Sequence, residues 1–137
     1  MNEPDFTRKI HRLLPSRVYS WKISDRFHRG IPDAYYAGDH GELWIEYKFL
    51  SKNPTRQHTP NLSDLQKDWL NARYAQNRNV AVVVGTPTHA FVIRDGAWNQ
   101  PYTDFHFITH EDLAQWIDNQ VHTPALKASA SKTAPSS

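Results

Sequence analysis

Apolar positions along the chain change period several times, and each change marks an element. Phe6, Ile10, Leu13 and Leu14 recur at helical spacing, which predicts a helix over residues 3–14. Pro4 suits its first turn, and Pro15 ends it. From Arg17 to Ile23 the side chains alternate as in a strand, and a polar, basic loop follows from Ser24 to Gly30. Ile31–Ala37 and Glu42–Leu50 then read as two strands joined by Gly38-Asp39-His40-Gly41, a glycine-bounded hairpin connection. Ser51–Asn61 is a polar loop with Pro54 and Pro60. Ser63 is a good N-cap for a helix to about Asn77, with Leu65, Trp69, Leu70 and Ala72 facing inward. Val80–Gly85 is an unbroken apolar run, as in a strand buried on both faces, and His89–Arg94 is a further strand. Thr109 with Asp112 starts a last helix through about Asn119, carrying Leu113, Trp116 and Ile117.

The helix between Leu50 and Val80 is long enough for a crossover, so the strands on either side of it are expected to run parallel. The expectation is one α/β domain over residues 1–121: a mixed β-sheet flanked by helices, in the order αβββαβ with a further strand and helix. Residues 122–137 are rich in Ala, Ser, Thr, Pro and Lys and read as a disordered tail.

Composition narrows the class without naming a function. A chain of 137 residues with 39% hydrophobic and 22% charged residues suits one soluble domain. No apolar run approaches a membrane span, and the first residues do not read as a secretion signal. With no cysteine there is neither a disulfide framework nor a thiolate metal site, which fits a cytoplasmic location. The net charge of +2 is unevenly spread. Residues 1–58 hold ten Lys/Arg against seven Asp/Glu, whereas residues 59–121 hold four against seven. A polyanion would meet the first half more readily.

The chemistry concentrates in Gly30-Ile31-Pro32-Asp33 and, after twelve intervening residues, Glu46-Tyr47-Lys48. On a strand, Leu43, Ile45, Tyr47 and Phe49 point to one face, and Trp44, Glu46 and Lys48 to the other. Asp33 stands on the neighbouring strand of the same hairpin. Two carboxylates beside a lysine can hold Mg²⁺ through hard oxygen ligands, activate a water and stabilise charge developing on a phosphate. Either motif alone is more often a turn residue or a solvated ion pair. Their combination in one hairpin, flanked by basic loops, points to phosphodiester hydrolysis.

Pro32-Asp33 with Glu46-Tyr47-Lys48 resembles the signature of the PD-(D/E)XK nuclease superfamily, the restriction-endonuclease-like fold. The wider run from Arg29 to Lys48 and on to Leu62-Ser63-Asp64-Leu65-Gln66 is similar to small phage and bacterial VRR-NUC-like nucleases. The resemblance covers roughly residues 3–94 and implies a metal-dependent nuclease acting on DNA, an endonuclease in the main reading. It implies Asp33 and Glu46 as ligands for Mg²⁺ or Mn²⁺, the Tyr47 carbonyl as a further ligand, and Lys48 as the catalytic lysine. It also implies an acid on the first helix, Glu3 with Asp5 as competitor, and a supporting glutamine, Gln66.

Arg26, His28 and Arg29 before the motif, and Lys52, Arg56 and His58 after it, are candidate phosphate contacts, with Arg29, Lys52 and Arg56 preferred. Lys9 and Arg12 read as a solvated helix face. Of eight histidines, His106 and His110 stand four apart, but they straddle the expected start of the last helix and no cysteine supplements them, so a zinc site is not expected. The five tryptophans are expected mostly in the core, with Trp44 packed under the first helix; stacking on a base is its other reading. Two rival functions remain: a nucleic-acid-binding protein that does not cut, and a phage-derived protein-interaction module. A junction-cleaving activity would need two sites and hence a homodimer.

Overall fold

The computed structural model describes residues 1–23 and 30–122. Helix α1 (Glu3–Leu13) starts at Asn2, whose side chain accepts a hydrogen bond from the Asp5 N–H. Strands β1 (Tyr19–Lys22), β2 (Ala34–Ala37) and β3 (Glu42–Phe49) form an antiparallel meander. Helix α2 (Asp64–Ala75) crosses over to β4 (Val80–Gly85), which runs parallel to β3 as the chain order requires. Strand β5 (His89–Ile93) returns antiparallel, followed by a single 3₁₀ turn at Ala97–Asn99, a two-residue strand β6 (Ile108–Thr109) and helix α3 (His110–Val121). The sheet order is β1-β2-β3-β4-β5-β6, so the αβββαβ core is present and the sheet is mixed.

Two cores form on the two faces of this sheet. Helices α1 and α3 cover one face, where Phe6, Ile10, Leu113 and Ile117 pack on Tyr36, Leu43, Ile45, Tyr47 and Val83. On the other face α2, the 3₁₀ turn and the segment after it cover Val80, Val82, Val84, Phe91 and Ile93 with Leu70, Trp98, Tyr102, Phe105 and Phe107. Strand β4 is buried along its whole length because both layers meet there, and its valines therefore show no alternation.

Several expectations need correction. Trp44 does not lie under α1. It faces the opposite side, against Trp69 of α2 and Tyr35 of β2, because it shares the face of Glu46 and Lys48. Only Trp98 among the tryptophans is fully buried; Trp44, Trp69 and Trp116 are half-buried, and Trp21 is exposed. Leu65 points outward, 51% exposed. At 100° per residue it lies about 140° round α2 from the buried Leu70, and Gln66 takes the inward position instead. Leu13 is also exposed, and Leu14 packs in its place. Strands β1 and β2 are shorter than predicted because they pair only over Tyr19–Lys22 and Ala34–Ala37. Strand β6 carries no pattern long enough to announce it. The tail, from residue 123, lies outside the described residues.

Candidate active site

Register brings the two halves of the motif together. Ala34 pairs with Ile45, so Asp33, one residue before β2, stands opposite Glu46 on the central strand β3. The Tyr47 N–H donates to Asp33 Oδ2 at 2.8 Å and fixes that carboxylate against β3. Within a strand the N–H and C=O of one residue point to the same flank. The Tyr47 carbonyl is therefore directed toward the side on which Asp33 lies.

Glu46 is 3% exposed and sits beneath Lys48, whose Nζ lies 3.4 Å from Glu46 Oε2. Gln66 ties both to α2: its Nε2 donates to Glu46 Oε2 at 3.0 Å, and its Oε1 lies 3.5 Å from Lys48 Nζ. The same Oε1 accepts from the Ser63 N–H at 2.9 Å, and Ser63 Oγ accepts from the Gln66 N–H at 3.1 Å. A capping box that starts the crossover helix thus also orients the carboxylate and the lysine.

The electrostatics follow from this crowding. Burial, the Asp33 charge and more weakly Glu3 push the Glu46 carboxyl up to about 8, against the opposing pull of Lys48. Asp33 is also raised, mainly by burial, while the Tyr47 N–H, Lys48 and a hydrogen bond with Glu46 hold it back. The two carboxyls share a proton more readily than they both ionise. Glu3 is raised by burial and by the charge of Asp33, with Lys48 opposing. Glu3 therefore belongs to the field of this cluster. Asp5, the competing acid, pairs instead with Arg8 on the outside of α1.

Among the described residues no group of three His, Asp or Glu side chains converges tightly enough to enclose a metal ion alone. The donor set still fits a hard divalent cation. Mg²⁺ is commonly held by one or two carboxylates, its other positions filled by water and substrate phosphate. Asp33, Glu46 and the Tyr47 carbonyl supply such a partial set, and two mutually repelling carboxyls are the local feature that a cation relieves.

Of the proposed phosphate contacts, Lys52 lines an open hollow of about 400 Å³ with Ser51, Asn53, Pro54, Thr55 and His58, just beyond the C-terminal end of β3. Arg56 is exposed on the same loop. His58 is held into the fold by a backbone bridge to Tyr102. Arg26, His28 and Arg29 lie outside the described residues. Lys22 was not among the candidates, yet its charge acts on Asp33. Its place follows from the pairing of Lys22 with Ala34, which a linear reading does not supply. A larger hollow of about 510 Å³, lined by Glu42, Arg78, Asn79 and Arg94 among others, opens at the far end of β3. It takes no part in this cluster.

No family model matches the chain, and no match is found among curated proteins. Among solved structures the chain is similar to that of Archaeoglobus fulgidus Hjc, a Holliday junction resolvase from an archaeal hyperthermophile. That likeness has a TM-score of 0.47 at 12% identity and covers 82% of this chain and 99% of that one.

Proposed function

We propose that the protein is a metal-dependent nuclease that hydrolyses phosphodiester bonds of DNA, acting as an endonuclease. The observation that carries this reading is the meeting of Asp33, Glu46 and Lys48 on one sheet face, with the Lys48 Nζ 3.4 Å from Glu46. The likeness of these segments to VRR-NUC-like nucleases supports the same reading. Mg²⁺ or Mn²⁺ held by Asp33, Glu46 and the Tyr47 carbonyl, with Glu3 nearby, would polarise the phosphate and lower the pKa of an attacking water.

The chain's own residues do the rest. Lys48, 21% exposed at its side chain, offers an ammonium to solvent from a fixed position between Glu46 and Gln66. There it binds a phosphate oxygen and stabilises the charge that grows on it. Gln66 holds Glu46 by one of its two carboxylate oxygens. The Tyr47 N–H holds Asp33 in the same way. Lys52 and Arg56, and Arg29 on the other side of the motif, extend the contact to neighbouring phosphates.

The test is cleavage of labelled duplex, single strand, flap and four-way junction DNA with Mg²⁺, with Mn²⁺ and with chelator, beside Lys48→Ala and Glu46→Gln. Metal-dependent cutting that both substitutions abolish is the expected result. If wild type cuts none of these, or the variants cut as fast as wild type, the catalytic reading fails.

A further inference from the structure

Among the described residues strand β1 is one edge of the sheet, and all four of its residues are exposed. Two of them are nonetheless large aromatics: Tyr19 is 61% and Trp21 51% exposed. Trp21 pairs with Tyr35, and Tyr35 with Trp44, so these side chains stand on the face that carries Glu46 and Lys48. Their rings form a continuous run. Tyr19 and Trp21 each meet Tyr35 edge-on, with centroids 6.5 Å apart. Tyr35 meets Trp44 at 4.6 Å, and Trp44 meets Trp69 of α2 at 5.2 Å. The inner rings are half-buried and pack the fold. Among the described residues the outer two belong to neither core.

The run leads into the active-site cluster. Asp33 precedes Tyr35 by two residues, and Glu46 follows Trp44 by two. Two strand spacings of about 4.8 Å and two residue steps of about 3.4 Å put Trp21 roughly 12 Å from Glu46 along the sheet. That is the length of about three to four stacked nucleotides at roughly 3.4 Å each.

We infer that Tyr19 and Trp21, backed by Tyr35, form a stacking platform for unpaired bases of the strand being cut. The substrate is then DNA with single-stranded nucleotides beside the scissile phosphate: a single strand, a flap or a tailed end. This rests on the nuclease reading above. Aromatic faces bind any exposed base, because every base has a π-face. Bases inside a duplex are already stacked on each other and offer no such face. A second copy of the chain fits this surface less well. Four residues of edge strand supply little of the roughly 800 Å² per partner that a stable dimer buries. Lys22 in the same strand is also the kind of charge that blocks edge-to-edge pairing.

The experiment measures binding in chelator, so that cutting does not enter. Labelled twelve-nucleotide oligothymidine and a blunt twelve-base-pair duplex are titrated with wild type, Tyr19→Ala/Trp21→Ala and Trp21→Tyr. The double variant should bind the single strand about tenfold or more weakly, with duplex binding unchanged within twofold. Its salt dependence on the single strand should keep the wild-type slope, since phosphate contacts remain. Trp21→Tyr should retain most of the affinity. Single-strand affinity within twofold of wild type overturns the inference, and so does an equal loss on both substrates. Sedimentation of wild type and double variant tests the remaining occupant. A wild-type dimer that the double substitution makes monomeric assigns the surface to a second copy and overturns the inference as well. Absence of cutting by wild type under Mg²⁺ would retire the nuclease reading separately, whatever the binding result.

Discussion

Replacing Glu46 by glutamine should stabilise the metal-free protein, and the gain should depend on pH. Glu46 is 3% exposed, and in the folded chain it holds its proton up to about pH 8, against 4.5 for the ordinary side chain. Between those values the native state binds more protons than the unfolded state, so stability falls as pH rises. Below about pH 4.5 both states are protonated and the penalty vanishes; above about 8 it is present in full. The full shift, at 1.36 kcal/mol per pH unit, corresponds to about 5 kcal/mol. Movement of Lys48 and entry of water reduce the expected penalty to roughly 3–5 kcal/mol. Glutamine is neutral at every pH, and its carbonyl oxygen still accepts from Gln66 Nε2. The repulsion by Asp33 that the substitution relieves is already part of this shift. The assay is urea unfolding of wild type and Glu46→Gln in chelator from pH 5 to pH 9. The variant's advantage should grow from about 1 kcal/mol near pH 5 to roughly 3–5 kcal/mol at pH 9. A difference that stays constant within about 1 kcal/mol across that range, or changes in the opposite sense, refutes the account of a buried, proton-sharing carboxyl pair.

Gln66→Ala should slow cutting by about 10–100-fold, because Glu46 and Lys48 lose the amide that orients them. Ser63→Ala removes the cap alone and should cost about 1 kcal/mol in thermal unfolding while cutting persists. Arg17→Ala should lower the urea midpoint of unfolding, since Asp118 is 1% exposed and loses its two-pronged guanidinium partner. Gly85→Ala should destabilise by about 2–3 kcal/mol, because a Cβ there would stand 2.4 Å from Phe6 Cε2. Phe6 follows Glu3 by less than one turn of α1, so cutting should fall too. Gly41→Ala, with nothing within 4 Å of the added Cβ, is the control and should change stability by no more than about 0.5 kcal/mol.

Periodicity alone was enough to place the three helices, the β2–β3 hairpin and the fully buried β4. Each repeats a pattern over enough residues for local sterics and burial to act together. The parallel pairing of β3 with β4 followed from the length of the crossover between them. Asp33, Glu46 and Lys48 were legible because strand alternation and hairpin pairing relate them through a short loop of chain. Which face each layer covers was beyond that reading. Alternation separates Trp44 from Ile45 but does not say which helix lies above either, and Trp44 belongs to the α2 layer instead of the α1 layer.

The sequence by itself determined the order of elements, the α/β class and the pairing of two carboxylates with a lysine in one hairpin, since all three depend on contacts close in the chain. Tertiary structure alone decided the rest. The inward rotation of Gln66 and the outward rotation of Leu65 depend on where α2 meets the sheet. That Glu3 feels the charges of Asp33 and Lys48 while Asp5 pairs with Arg8 depends on how α1 lies against β3. The rise of Glu46 to about 8 depends on how many layers cover it, and the exposure of Tyr19 and Trp21 depends on β1 pairing, among the described residues, only with β2. Burial and charge are sums over everything packed around a residue, and most of those neighbours are distant in the chain.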